Sequence, residues 1–245
     1  MPQTRIELKT EDGTCPVHTF RPDGQGALPG VILFMDGVGI RPALFQMGER
    51  LASAGFHVLL PDLFYRAGPY APMNAKTVFA DPEQRKNLAA KFLSTTTVAN
   101  VMRDTKAFLA HLASLPDVRQ PKVGVTGYCL GGRMALAAAG TFPDRVAAAA
   151  SYHGAQLASD APDSPHLLAP TIKARVYVAG AVEDASFPEA QKARLEAALM
   201  EAHVEHVIET WPAKHGWVPT DMPTHDPACA ERHWTTLLDL LRRSL

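Results

Sequence analysis

The sequence predicts an α/β fold, with a mostly parallel central sheet flanked by helices. Three observations carry that expectation. Val31 to Met35 is a continuous apolar run, as expected of a strand buried on both faces. Helical patterns fall between several further apolar runs, and such alternation argues for an open parallel sheet covered by helices. The segment from Val123 to Ala139, VGVTGYCLGGRMALAAA, reads as strand, tight turn and helix.

In chain order, Arg5 to Lys9 and Pro16 to Phe20 are two strands separated by the Glu11-Asp12-Gly13 turn. After Val31 to Met35, Phe45 to Ala54 has helical character and His57 to Leu60 is the next strand, with His57 expected in the core. From Tyr65 to about Asp81 the chain contains Pro69, Pro72 and several small residues, too irregular for a helix. Long ordered loops are often functional, so this one is expected either to border the active site or to be a plain surface connection. Val123 to Thr126, Val146 to Tyr152, Ala174 to Ala179 and Val204 to Glu209 supply further strands, and Phe108 falls in an apolar helical pattern. Trp234, Leu237, Leu238 and Leu241 mark one face of a terminal helix. No repeat, low-complexity tract or linker divides the chain, so a single domain over residues 1–245 is expected, a routine length for this class.

The chain is 47% hydrophobic and 20% charged, enough for a large core in an ordinary soluble globule. A formal net charge of -1 supplies no basic stripe, so nucleic acid is not an expected partner. The opening residues MPQTRIELKT lack the apolar core of a signal peptide, and no later run is long enough to span a membrane. Cys15, Cys129 and Cys229 are widely spaced and odd in number. That pattern fits free thiols in a reducing cytoplasm rather than a disulfide scaffold.

Cys129 stands where a nucleophile belongs. Gly127-Tyr128-Cys129-Leu130-Gly131 reverses the chain between strand and helix, the context of a nucleophile elbow with cysteine in the usual place of serine. The neighbouring glycines remove side chains that would clash in so tight a turn. The helix N-terminus behind Cys129 offers unpaired N–H groups that favour a thiolate. The plainer alternative is a buried cysteine in a glycine-rich turn; Cys15 and Cys229 have no elbow and are expected to be inert.

A thiol nucleophile needs a base, and the base needs an orienting partner. The strand ending near Ala179 leads into Gly180-Ala181-Val182-Glu183-Asp184, and the strand ending near Thr210 leads into Trp211-Pro212-Ala213-Lys214-His215-Gly216. The order Cys129, Asp184, His215 follows the nucleophile–acid–histidine order of α/β-hydrolases. Taken singly, Asp184 could cap a helix and His215 is one of ten histidines. The loop after Val31 to Met35 is where such enzymes place an oxyanion-binding N–H, so Gly37 N–H and Leu130 N–H are the candidates. Asp36, in the same loop, interrupts an apolar run.

Two rivals stand beside this reading. His215, His225, Asp226 and His233 form a loose metal-ligand cluster in sequence, at spacings unlike familiar arrays. A non-catalytic small-molecule-binding protein on the same fold would also account for the strand pattern, since fold alone does not settle function.

With these residues in hand, the sequence resembles the dienelactone hydrolase (carboxymethylenebutenolidase) family. The match rests on Gly127-Tyr128-Cys129-Leu130-Gly131-Gly132, Asp184 with Pro188 four residues on, His215 before an aromatic, Pro61-Asp62-Leu63, and an acidic residue after the first long strand. The resemblance implies an α/β-hydrolase fold without a large cap domain, a Cys-His-Asp triad and hydrolysis of an ester or lactone with no cofactor. It further implies that Asp36, glutamate in family members, modulates the thiol. It places Arg85 on a substrate carboxylate, and Tyr152 and His153 in the substrate pocket. The second carboxylate-binding arginine of the family has no counterpart in Trp217-Val218-Pro219-Thr220.

Overall fold

A computed structural model of the chain describes residues 3–24 and 26–245. The strands are β1 (Gln3–Thr10), β2 (Gly13–Phe20), β3 (Leu28–Phe34), β4 (His57–Pro61), β5 (Val118–Tyr128), β6 (Val146–Tyr152), β7 (Arg175–Ala181) and β8 (His206–Trp211). The helices are α1 (Pro42–Ser53), α2 (Pro82–Asn87), α3 (Val98–Ser114), α4 (Leu130–Thr141), α5 (Glu189–Glu201) and α6 (Pro227–Ser244). The eight strands form one sheet in the order β1-β2-β4-β3-β5-β6-β7-β8. Among the described residues only the β1–β2 and β2–β4 pairs are antiparallel; β3 pairs parallel with β4 and β5, and the rest continue in parallel. The predicted sheet is therefore present.

The apolar runs become strands because both faces of the sheet are covered. Every residue of β3 and of β4 is buried, which explains why their sequences do not alternate. The alanines of β6 leave room for α4, which packs against β5 and β6. On α6, Trp234, Leu237 and Leu241 are buried and give the helix its inner face; His57 and Phe108 are core residues.

Between β4 and α3 the chain is irregular: a 3₁₀ turn at Tyr65–Ala67, then coil and turns up to the short α2, and a π-helical turn at Leu88–Phe92. It is nonetheless pinned to the body. Tyr70 Oη donates to Asp62 Oδ1 at 2.9 Å and accepts from Ile40 N–H at 3.2 Å, and its ring lies against Phe64 and Phe92. Arg66 Nη1 meets the buried carboxylate of Asp104 at 2.7 Å. Among the described residues no helix is long and apolar enough to cross a membrane.

Candidate active site

β5 and α4 meet at Cys129, whose backbone adopts φ 53° and ψ -114°. A non-glycine residue at positive φ is strained and persists only where its surroundings hold it. Here Cys129 N–H donates to Tyr152 O at 3.2 Å, while Cys129 O accepts from Gly132 and Ala155 N–H at 3.1 Å each. The flanking glycines are required by space. A Cβ on Gly127 would lie 2.1 Å from Gly131 O, and one on Gly131 would lie 2.3 Å from Phe34 O. The turn can close only because both lack one.

Asp184 follows β7 and His215 follows β8, and the structure pairs the two, with His215 lining the same cavity as Cys129. Asp184 Oδ2 accepts from His215 Nδ1 at 2.8 Å, and Asp184 Oδ1 accepts from Ser186 N–H at 2.8 Å. The Asp184 side chain is 1% exposed and the imidazole 27%. Burial by itself pushes His215 down, but the hydrogen bonds and charges of Asp184 and Cys129 outweigh it and hold the imidazole at about 10. Burial likewise pushes Asp184 up, and the bond and charge of His215 together with the hydrogen bonds of Ser186 more than reverse this, leaving the carboxyl below its ordinary value. The His215 loop is braced by Thr224, whose Oγ1 donates to His215 O at 2.7 Å, and by the left-handed Gly216 at φ 90°.

Cys129 lies between two cavities. The larger, about 480 Å³, is lined by His215, His153, Asp36, Phe79 and Met222 among others. The other, about 390 Å³, is lined by Leu130, Arg133, Gln156, Thr97 and Asp163 among others, without His215. Gly37, Phe79 and Cys129 border both. Ala75, Lys76, Phe79 and Ala80 come from the irregular segment after β4, so that segment does wall the site. Leu130 opens α4, where the N–H has no intrahelical partner. Among the described residues neither its N–H nor that of Gly37 is held by the protein.

Asp36 lines the larger cavity, but its carboxylate is engaged elsewhere. Arg41 Nη1 donates to Oδ1 at 2.7 Å, Arg41 Nη2 to Oδ2 at 2.8 Å, and Val38 N–H to Oδ1 at 2.9 Å. Arg41 also donates through Nε to Asp221 Oδ2 at 2.6 Å. Its guanidinium is 2% exposed, and it is held charged by the two carboxylates against the opposing effect of burial. Among the described residues no hydrogen bond joins Asp36 to Cys129.

Two expected pocket residues lie elsewhere. Arg85 sits on the exposed surface of α2 and lines neither cavity, because α2 is a single polar turn and a half with no buried face. Tyr152 is fully buried among Tyr128, Trp211 and His233, and its hydroxyl meets Thr236 Oγ1 at 2.9 Å. It belongs to the core. His153, one residue on, turns into the larger cavity at φ 40°. Both of its ring nitrogens are buried without a partner, and burial followed by the charge of His215 holds it well below its ordinary value. The sequence-level metal cluster is also dispersed. His225 Nδ1 contacts Trp217 O, Asp226 caps α6 through Cys229 N–H, and His233 Nε2 contacts Tyr128 Oη.

Arg41, Asp221 and Arg133 were not singled out by the sequence. Arg133 had a usable signal: it lies four positions after Cys129 on a helix, so it shares the face beside the thiol. Arg41 and Asp221 are 180 residues apart and carried none.

The model of the dienelactone hydrolase family matches residues 16–245. A Synechocystis sp. protein named "Putative carboxymethylenebutenolidase" is 26% identical, over 98% of this chain and 99% of its own. Among solved structures, "Putative Dienelactone Hydrolase" from Klebsiella pneumoniae superimposes with a TM-score of 0.85 at 22% identity, covering 98% of both chains. Dienelactone hydrolase from Anabaena variabilis superimposes at 0.71 with 20% identity, over 100% of this chain and 98% of that one. These likenesses share the α/β-hydrolase fold.

Proposed function

The chain belongs to the dienelactone hydrolase family and is an ester or lactone hydrolase, and from that premise we propose that it works through an acyl-enzyme on Cys129. The carrying observation is the grouping of Cys129, His215 and Asp184, with His215 Nδ1 committed to Asp184 at 2.8 Å and the imidazole lining the same cavity as the thiol. Asp184 fixes the tautomer and supports the imidazolium. His215 takes the thiol proton and the thiolate attacks the acyl carbonyl. The oxyanion rests against the N–H groups of Leu130 and Gly37. His215 then protonates the leaving oxygen, activates a water and returns the thiol on hydrolysis of the thioester. His153 contributes an uncharged ring to the wall of the pocket.

Asp36 acts here through placement rather than as a base, since Arg41 and Val38 occupy both its oxygens. It fixes the loop that presents Gly37.

The test is hydrolysis of a dienelactone, followed by loss of ultraviolet absorbance, with wild type and Cys129→Ala side by side. Intact-mass detection of an acyl adduct in wild type, absent from the variant, is the expected result. Unchanged turnover in Cys129→Ala would overturn the mechanism.

A further inference from the structure

The two cavities divide the substrate, and the division follows from proton transfer. His215 must reach the departing oxygen to protonate it. Among the two cavities beside Cys129, only the larger is lined by His215, so the leaving group belongs there. The acyl chain must extend from the thioester carbon away from His215, into the cavity lined by Leu130 and Arg133.

That second cavity is a built polar site. Arg133 is 15% exposed and is held in place by Gln156 Oε1 at 3.1 Å from Nη1 and Asp163 Oδ1 at 2.8 Å from Nη2. Gln156 reaches it from a left-handed backbone at φ 54°, an uncommon conformation for a side-chain-bearing residue. Those two bonds use two of the five N–H donors a guanidinium carries. Asp163 is 45% exposed, so solvent screens its charge more than that of the deeper arginine.

We propose that this cavity is the acyl pocket and that Arg133 selects acyl chains ending in a carboxylate. The inference rests on Cys129 as nucleophile and His215 as proton donor, and it goes beyond them by naming the substrate class: half-esters of dicarboxylic acids, with the charge on the acyl side of the scissile bond. A carboxylate on a guanidinium makes charge-assisted hydrogen bonds, stronger than those a neutral oxygen makes at the same place.

The experiment compares two substrates of nearly equal size, 4-nitrophenyl hydrogen adipate and its methyl ester, 4-nitrophenyl methyl adipate. Both release the same nitrophenol, and only the first carries acyl-side charge. The readout is the ratio of their kcat/KM values within each protein, which is independent of the fraction folded. Wild type is expected to favour the acid by about tenfold or more, less so at high salt. Arg133→Gln should bring the ratio near one, chiefly through KM for the acid, and Arg133→Lys should restore part of it. A wild-type ratio near one, or a preference that survives Arg133→Gln, would overturn the acyl-pocket assignment while leaving Cys129 catalysis standing. Turnover of neither ester by wild type would remove the assignment together with the reading beneath it.

Discussion

Arg41 grips Asp36 through two parallel hydrogen bonds, Nη1 to Oδ1 at 2.7 Å and Nη2 to Oδ2 at 2.8 Å, in a setting that is almost wholly buried. The same guanidinium holds Asp221. The loop that follows β3 is thereby fastened to the loop that carries His215.

Removing Arg41 leaves the buried Asp36 carboxylate uncompensated, whereas Asp221 is 36% exposed. Arg41→Met is expected to lower stability by about 3–5 kcal/mol, read from urea unfolding at neutral pH. The double variant Arg41→Met/Asp36→Asn should be less destabilised than the single one, because the orphaned carboxylate is gone. Equal losses in the two would show that the ion pair is not the source.

The His215–Asp184 pair makes a pH prediction. His215 is held at about 10 in the folded chain, against an unfolded value near 6.5. The folded protein therefore binds this proton more tightly, and the resulting stabilisation is complete below pH 6.5 and fades as pH rises through about 10. Asp184→Asn removes the negative charge that supports the imidazolium, so the difference in melting temperature between wild type and variant should shrink from pH 6.5 to 10. A difference constant across that range would contradict the assignment. Activity in Asp184→Asn should fall by roughly 10³-fold or more.

Two buried histidines act in the opposite sense. Burial is the first cause that holds His153 well below its ordinary value, and it pushes His233 down to about 3. Unfolding exposes both to protonation near 6.5, so their contribution erodes stability as pH drops below that point. His153→Phe should soften the decline in melting temperature between pH 6.5 and 4. An identical decline in wild type and variant would count against a buried neutral His153.

Gly127→Ala tests the elbow itself. The added Cβ would meet backbone rather than a mobile side chain, at 2.1 Å from Gly131 O. The variant is expected to lose Cys129-dependent turnover and to melt well below wild type. Normal turnover would show that the turn has room the geometry denies it.

Much of this architecture was legible in the residues. Apolar runs located the strands because two-sided burial leaves no polar alternation, as in β3 and β4. The elbow was legible because Gly127 and Gly131 have a steric task that no other residue can perform. What escaped was set by tertiary geometry. Tyr152 and His153 are neighbours in sequence, yet a left-handed turn at His153 separates a core tyrosine from a cavity histidine. The family resemblance puts Arg85 on a substrate carboxylate, but α2 presents it to solvent.

The span between Arg41 and Asp221 also bears on how the thiol comes to life. Cys129 precedes His215 and Asp221 in the chain, so synthesis makes the thiol before its proposed base. On the triad reading, the nascent chain carries an unarmed thiol. The thiol can meet that base only once the segment carrying His215 has docked, and it is this segment that Arg41 fastens through Asp221.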